Sequence, residues 1–109
     1  MYLGIDLGST NIKVALYDSE MKLKDRRSIP VEYIRENGFV EFDARSYFEK
    51  LVNLLSAILY ENKIETVNEI AFTGQAESLV VVGKDGKPLM NAISSVSYTH
   101  LTLPTMAVV

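Results

Sequence analysis

Asp6, Gly8, Ser9, Thr10 and Lys13 lie close together in the stretch Asp6-Leu7-Gly8-Ser9-Thr10-Asn11-Ile12-Lys13, and side chains of these types could together hold a phosphate. Ser9 and Thr10 bring hydroxyl donors beside successive backbone N–H groups, and concave clusters of such groups bind anions. Lys13 adds a compact positive charge. Gly8 can adopt backbone angles that other residues avoid, so the chain can turn tightly there. Asp6 would repel a phosphate directly. It fits such a site only if a divalent cation stands between them, held through water as Mg²⁺ usually is. The competing reading is an ordinary glycine-containing hairpin.

The elements around this stretch must present it. Residues 2–7 and 12–18 alternate apolar and other residues, as half-buried strands do, with the Gly-Ser-Thr turn between them. Alternation puts Lys13 on the face opposite Ile12 and Val14. A turn at Ser19-Glu20 leads to a third strand over 22–30, which gives an antiparallel meander. The polar segment Arg35-Glu36-Asn37-Gly38 reads as a loop before a strand at 39–42. Asp43 is a good helix N-cap. Tyr47, Phe48, Leu51, Leu54, Leu55, Ile58 and Leu59 then recur at three- and four-residue spacing, as in an amphipathic helix ending near Asn62. Tyr47 and Phe48 are assigned to its core face. Residues 69–73 form a further strand, which should return parallel after the helical crossover. Residues 79–82 and 88–90 flank Asp85-Gly86 and read as a hairpin.

Composition narrows the function classes. With 109 residues, 48% of them hydrophobic, the chain can build one small core. A net charge of −3 and the absence of a strong basic cluster argue against a nucleic-acid or anionic-membrane partner. The mixed charges of Lys22-Leu23-Lys24-Asp25-Arg26-Arg27 suit the solvated face of an edge strand. No cysteine is present, so disulfides and zinc–thiolate sites are excluded. No long apolar span or cleavable leader is evident, and a cytoplasmic protein is expected.

The first hairpin resembles the phosphate-binding hairpin of the actin-like sugar kinases, and in particular that of the FGGY carbohydrate kinases. Three further segments are similar to that family. Gly38-Phe39-Val40-Glu41-Phe42-Asp43 resembles the stretch leading into its first helix. Ile70-Ala71-Phe72-Thr73-Gly74-Gln75-Ala76-Glu77-Ser78 resembles its strand-to-loop sugar site. Asp85-Gly86-Lys87-Pro88-Leu89-Met90-Asn91-Ala92-Ile93 resembles its Asp-Gly hairpin. The similarity covers residues 1–94.

The resemblance implies an α/β fold: a truncated actin-like (ribonuclease-H-like) N-terminal domain, with a mixed sheet built from the meander plus a helical crossover. It implies ATP and Mg²⁺ as cofactors, a sugar or polyol as substrate, and a missing C-terminal kinase domain. A homodimeric parent is compatible with it. Gly8, Ser9, Thr10, Asn11 and Lys13 would face the ATP phosphates, and Asp6 would face hydrated Mg²⁺. Gln75, Ala76 and Glu77 would line the sugar site. Glu77 corresponds to the glutamate of the glycerol kinases' Gln-Arg-Glu, whereas Ala76 departs both from that motif and from the xylulose kinases' Gln-Met-His-Gly. The sugar therefore stays open.

The family's catalytic aspartate belongs to the second domain. None of Asp18, Asp25, Asp43 and Asp85 occupies a comparable place, so the isolated fragment should be inactive. The run after Ser95, with the only histidine, His100, resembles one reading frame of a sequencing adaptor. Residues 95–109 are expected to be a non-native tail. Two alternatives come from other classes: a fragment of an actin- or chaperone-type nucleotide-binding ATPase, and a non-enzymatic binding module.

Overall fold

A computed structural model of the chain describes residues 1–36, 38–75 and 78–94. The elements in order are β1 (Tyr2–Leu7), β2 (Asn11–Tyr17), β3 (Leu23–Pro30), β4 (Ile34–Glu36), β5 (Phe39–Phe42), α1 (Ala44–Glu61), β6 (Glu69–Gly74) and β7 (Ala92–Ile93). They divide into two compact units, Met1–Val31 with Tyr47–Gln75, and Glu32–Ser46 with Ala76–Val109.

The first unit holds a four-stranded sheet in the order β3-β2-β1-β6. β1 pairs antiparallel with β2, β2 antiparallel with β3, and β1 parallel with β6. This is the meander and the parallel return that alternation and the intervening helix imply. Leu3, Ile5, Ile12, Val14 and Leu16 alternate onto one face and are buried there with Leu51 and Ile58 of α1. Ile12, Val14, Leu16 and Ile58 are fully withdrawn from water, and each side chain so buried contributes about 1.5–3 kcal/mol. Leu54, Leu55, Leu59 and Tyr47 complete the stripe as partly buried residues. Phe48 does not belong to it. Its side chain is 62% exposed, which corrects its assignment to the core. At a helical 100° per residue Phe48 lies only about 20° from Leu55, seven residues on, so periodicity alone places it on the stripe although the fold leaves it uncovered.

Asp18 organises the turn between β2 and β3. Its Oδ1 accepts the backbone N–H of Glu20 and of Lys22, and the Lys22 bond, with a smaller contribution from Glu20, holds its pKa below the usual carboxylate range. Strand β3 lies at the sheet edge, as its mixed charges imply. Its charges are not all solvated, however. Asp25 Oδ2 accepts from Asn62 Nδ2 at 2.8 Å and from Arg27 Nη2 at 2.9 Å, and Arg27 Nη1 pairs with Glu61. The network fastens the edge strand to the end of α1. The Asn62 bond, followed by the Arg27 bond, lowers the pKa of Asp25.

The second unit holds a three-stranded sheet in the order β4-β5-β7. The polar segment read as a loop begins with β4, whose Ile34, Arg35 and Glu36 pair antiparallel with Glu41, Val40 and Phe39. All three β4 residues are exposed, so no buried face gave this edge strand an apolar rhythm to read. Asp43 caps α1 as expected: its Oδ1 accepts the N–H groups of Arg45 and Ser46. The expected hairpin around Asp85-Gly86 is present in reduced form. Val82 and Pro88 form a single bridge, Gly86 takes φ +80°, and Asp85 Oδ1 accepts the Lys87 N–H. Pro88 has no N–H to extend a ladder, and Leu79 bridges to Ile93 instead.

Candidate phosphate and substrate site

The β1–β2 connection is a compact turn. Leu7 pairs with Ile12 across the two strands, leaving Gly8, Ser9 and Thr10 to reverse the chain. Glycine is required at position 8 by proximity: a Cβ there would lie 2.5 Å from the Asn11 carbonyl oxygen. No other residue type fits that gap without moving backbone. The far side of the turn is tied down by Val31, whose N–H donates to the Thr10 carbonyl at 2.9 Å.

The Gly8 carbonyl receives two donors from distant parts of the same unit. Tyr47 Oη on the first turns of α1 donates to it at 2.9 Å, and Gln75 Nε2 at 3.4 Å. The Gln75 backbone N–H also donates to the Leu7 carbonyl at 2.9 Å. The segment leaving β6 is thereby fastened to the end of β1 by both its backbone and its side chain.

Strand register determines what lies beside the turn. Asp6 is opposite Lys13 on β2 and beside Thr73 on β6, so Lys13, Asp6 and Thr73 form a row across three strands. Leu3 and Ile5 of β1 pack toward α1, and alternation sends Asp6 to the other face. That face carries a shallow trough whose lining includes Gly4, Lys13, Ala15, Tyr17, Arg26 and Thr73. Lys13, Ser9 and Thr10 are exposed, and Asp6, Gly8 and Asn11 are half-buried. Among the described residues, no group of three carboxylate, histidine or cysteine side chains could hold a metal ion. A single carboxylate such as Asp6 could still serve Mg²⁺, which commonly binds through one or two carboxylates while water and substrate phosphate complete its shell.

The structure brings Asp6, Gly8, Ser9, Thr10, Asn11, Lys13 and Gln75 into one neighbourhood. Ala76 and Glu77 lie outside the described residues. Tyr47 and Thr73 were missed as site neighbours. Tyr47 was absorbed into the apolar stripe, and its hydroxyl, in the helical turn after the cap, was the one available signal. Thr73 occupies a position that only the register with β1 reveals.

Comparison with known proteins bears on the whole arrangement. The model of the N-terminal domain of the FGGY family of carbohydrate kinases matches residues 1–102. An uncharacterised sugar kinase of Archaeoglobus fulgidus is 33% identical over 90 residues, covering 82% of this chain and 18% of that protein. The crystal structure of gluconate kinase from Lactobacillus acidophilus superposes with a TM-score of 0.79 at 26% identity, covering 88% of this chain and 20% of that one. Plasmodium falciparum glycerol kinase with ADP gives 0.76 at 28% identity, over 87% of this chain and 20% of that one. The chain thus spans about a fifth of the length of the proteins it matches, 18% of one and 20% of two others. The meander, the parallel return of β6 and the turn at Gly8 are those of an actin-like kinase fold, and the chain belongs to the FGGY family of carbohydrate kinases, within its N-terminal domain.

Proposed function

We propose that this chain is the N-terminal part of an ATP-dependent kinase that transfers the γ-phosphoryl group to a hydroxyl of a sugar or polyol. The single observation that carries the reading is the Gly8 turn, where glycine is sterically enforced beside Asp6, Thr10 and Lys13. The side chains of those three residues make no hydrogen bond or ion pair among the described residues. A transferring phosphoryl group needs positioning and charge neutralisation more than covalent help, and these are the services that the turn's residue types can give. Ser9, Thr10, Asn11 and Lys13 would hold phosphate oxygens. Asp6 would accept hydrogen bonds from the water shell of Mg²⁺, which when bound offsets charge on the phosphates. The base that takes the substrate proton would come from outside this chain.

The substrate side is assigned to Gln75, Ala76 and Glu77. An anionic acceptor such as Glu77 bonds polyol hydroxyls more strongly than a neutral one, and Gln75 can both donate and accept. Support comes from the position of Gln75 at the carboxyl end of the parallel strand β6, where open α/β sheets gather their ligands. The relatives include proteins named for glycerol, gluconate and xylulose, so the substrate class proposed is a small polyhydroxy compound. Calorimetric titration of the intact protein with Mg·ADP, then with a panel of polyols, tests the assignment. Binding of both supports it, and binding of neither would remove it.

A further inference from the structure

We infer that Tyr47 is a positioning residue for nucleotide phosphate, acting through the Gly8 carbonyl; the inference rests on the phosphate role proposed for the turn. A peptide unit is planar and trans, so its C=O and the following N–H point in opposite directions. Whatever fixes the Gly8 carbonyl therefore fixes the direction of the Ser9 N–H, one of the donors assigned to phosphate. Tyr47 Oη approaches that carbonyl at 2.9 Å, well within hydrogen-bond range. Gly8 has no side chain to restrain its own backbone, and Asn11 O occupies the space where a Cβ would be. Both side chains that donate to this carbonyl, Tyr47 and Gln75, reach it from outside the turn.

Tyr47 is suited to restrain this peptide plane. Its ring packs against the core shared by α1 and the sheet, so the hydroxyl is delivered from a rigid element. The second donor, Gln75 Nε2, is longer at 3.4 Å and belongs to the segment assigned to the sugar. A sugar that engages the Gln75 amide would draw this donor away, leaving Tyr47 as the bond that persists through turnover. The hydroxyl thus keeps the turn ordered for ATP while the neighbouring amide is used elsewhere.

The test uses the intact kinase carrying Tyr47→Phe, which deletes the hydroxyl and keeps the ring. Loss of one neutral hydrogen bond should raise the Kd for Mg·ADP and the KM for ATP about threefold to tenfold, with the KM for sugar unchanged and the thermal midpoint lowered by no more than a few degrees. An unaltered Kd for Mg·ADP in a folded Tyr47→Phe protein would overturn the role and leave the phosphate reading of the turn intact. Failure of the unsubstituted protein to bind Mg·ADP would overturn both. Should Tyr47→Phe not fold, the carbonyl ¹³C resonance of Gly8 in the unsubstituted protein provides the second readout. It should respond to Mg·ADP while the ring resonances of Tyr47 report an undisturbed hydroxyl contact. A Tyr47 contact that breaks when Mg·ADP binds would refute the positioning role.

Discussion

Asp6 and Lys13 are direct partners across β1 and β2, yet their side chains form no ion pair with each other or with any other described residue. Directly opposed residues on one face of an antiparallel pair have Cβ atoms about 4.5–5.5 Å apart, so a pair was available. A carboxylate and an ammonium left side by side without neutralising each other are both open to a ligand. A cation–phosphate group offers each its complement.

Replacing Lys13 by Ala, or Thr10 by Ala, in the intact protein should lower kcat/KM for ATP and leave sugar binding largely unaffected. Loss of a hydrogen bond to a charged group is worth about 1.5–3 kcal/mol, which corresponds to a fall of roughly tenfold to a hundredfold. Steady-state kinetics with ATP as the varied substrate provide the check. Unchanged ATP parameters in both variants would reduce the hairpin to a structural element.

Glu77→Gln should impair sugar affinity and selectivity more than ATP affinity. A carboxylate accepts hydroxyl hydrogen bonds more strongly than an amide does, and the effect should be greatest for the preferred polyol. Titration of variant and parent with the same panel measures it, and equal affinities would exclude Glu77 from the sugar site.

Gly8→Ala should disturb the turn even though alanine is the smallest chiral replacement. The added Cβ would meet the Asn11 carbonyl oxygen at 2.5 Å, and relieving such overpacking typically costs about 1–3 kcal/mol. ATP affinity should fall together with hydrogen-exchange protection at the facing ends of β1 and β2. A variant that keeps full protection and full ATP affinity would mean that the turn has slack the geometry does not reveal.

Acid should loosen β3 through Asp25. Its pKa is lowered in the folded state, first by the Asn62 hydrogen bond and then by Arg27. A carboxylate depressed in this way stabilises the fold above its unfolded pKa of about 3.9, and the contribution disappears as pH falls through the folded value. Amides of β3 in the intact protein, corrected for intrinsic exchange, should therefore lose protection below about pH 4. In Asp25→Asn that protection should already be reduced at neutral pH and should vary less with acid. Parallel profiles for the two proteins would deny Asp25 this role.

The 109-residue polypeptide by itself should self-associate and release no ADP in the presence of sugars. Strand β6 is exposed along its whole length, with Ile70 48% and Phe72 63% exposed, and an uncovered strand edge of this kind templates association. Size-exclusion chromatography and a coupled ADP-release assay would test this. A monodisperse, cooperatively melting monomer with kinase activity would contradict both halves of the prediction.

The parts of the fold that could be read from the sequence are those where burial imposes a rhythm. Strand β1 is found at the residues its alternation marks, and β2 within a residue or so, because their apolar positions face the helix; β6 is found within a residue although all of it is exposed. Asp43 was legible as a cap because the residue type and the hydrogen bond are local. Strand β4 was not legible, since Ile34, Arg35 and Glu36 are all exposed and only pairing with β5 makes them a strand. The Asp25, Arg27, Glu61 and Asn62 network was hidden for a related reason: its members lie far apart in the chain and meet only once β3 and α1 pack. The Gly8 turn was legible as a Gly-Ser-Thr connection between two alternating strands. Its anchoring was not, because the contact of Tyr47 with Gly8 spans 39 positions.

ADP release by the intact protein in the presence of Mg·ATP and a polyol panel tests most directly whether the Gly8 turn serves phosphoryl transfer to a sugar. At least one polyol should accelerate ADP release many-fold over the sugar-free rate, and Lys13→Ala should suppress this acceleration through the ATP terms. Sugar-independent ATP hydrolysis at the same rate in both proteins, or no ADP release with any polyol, would contradict it.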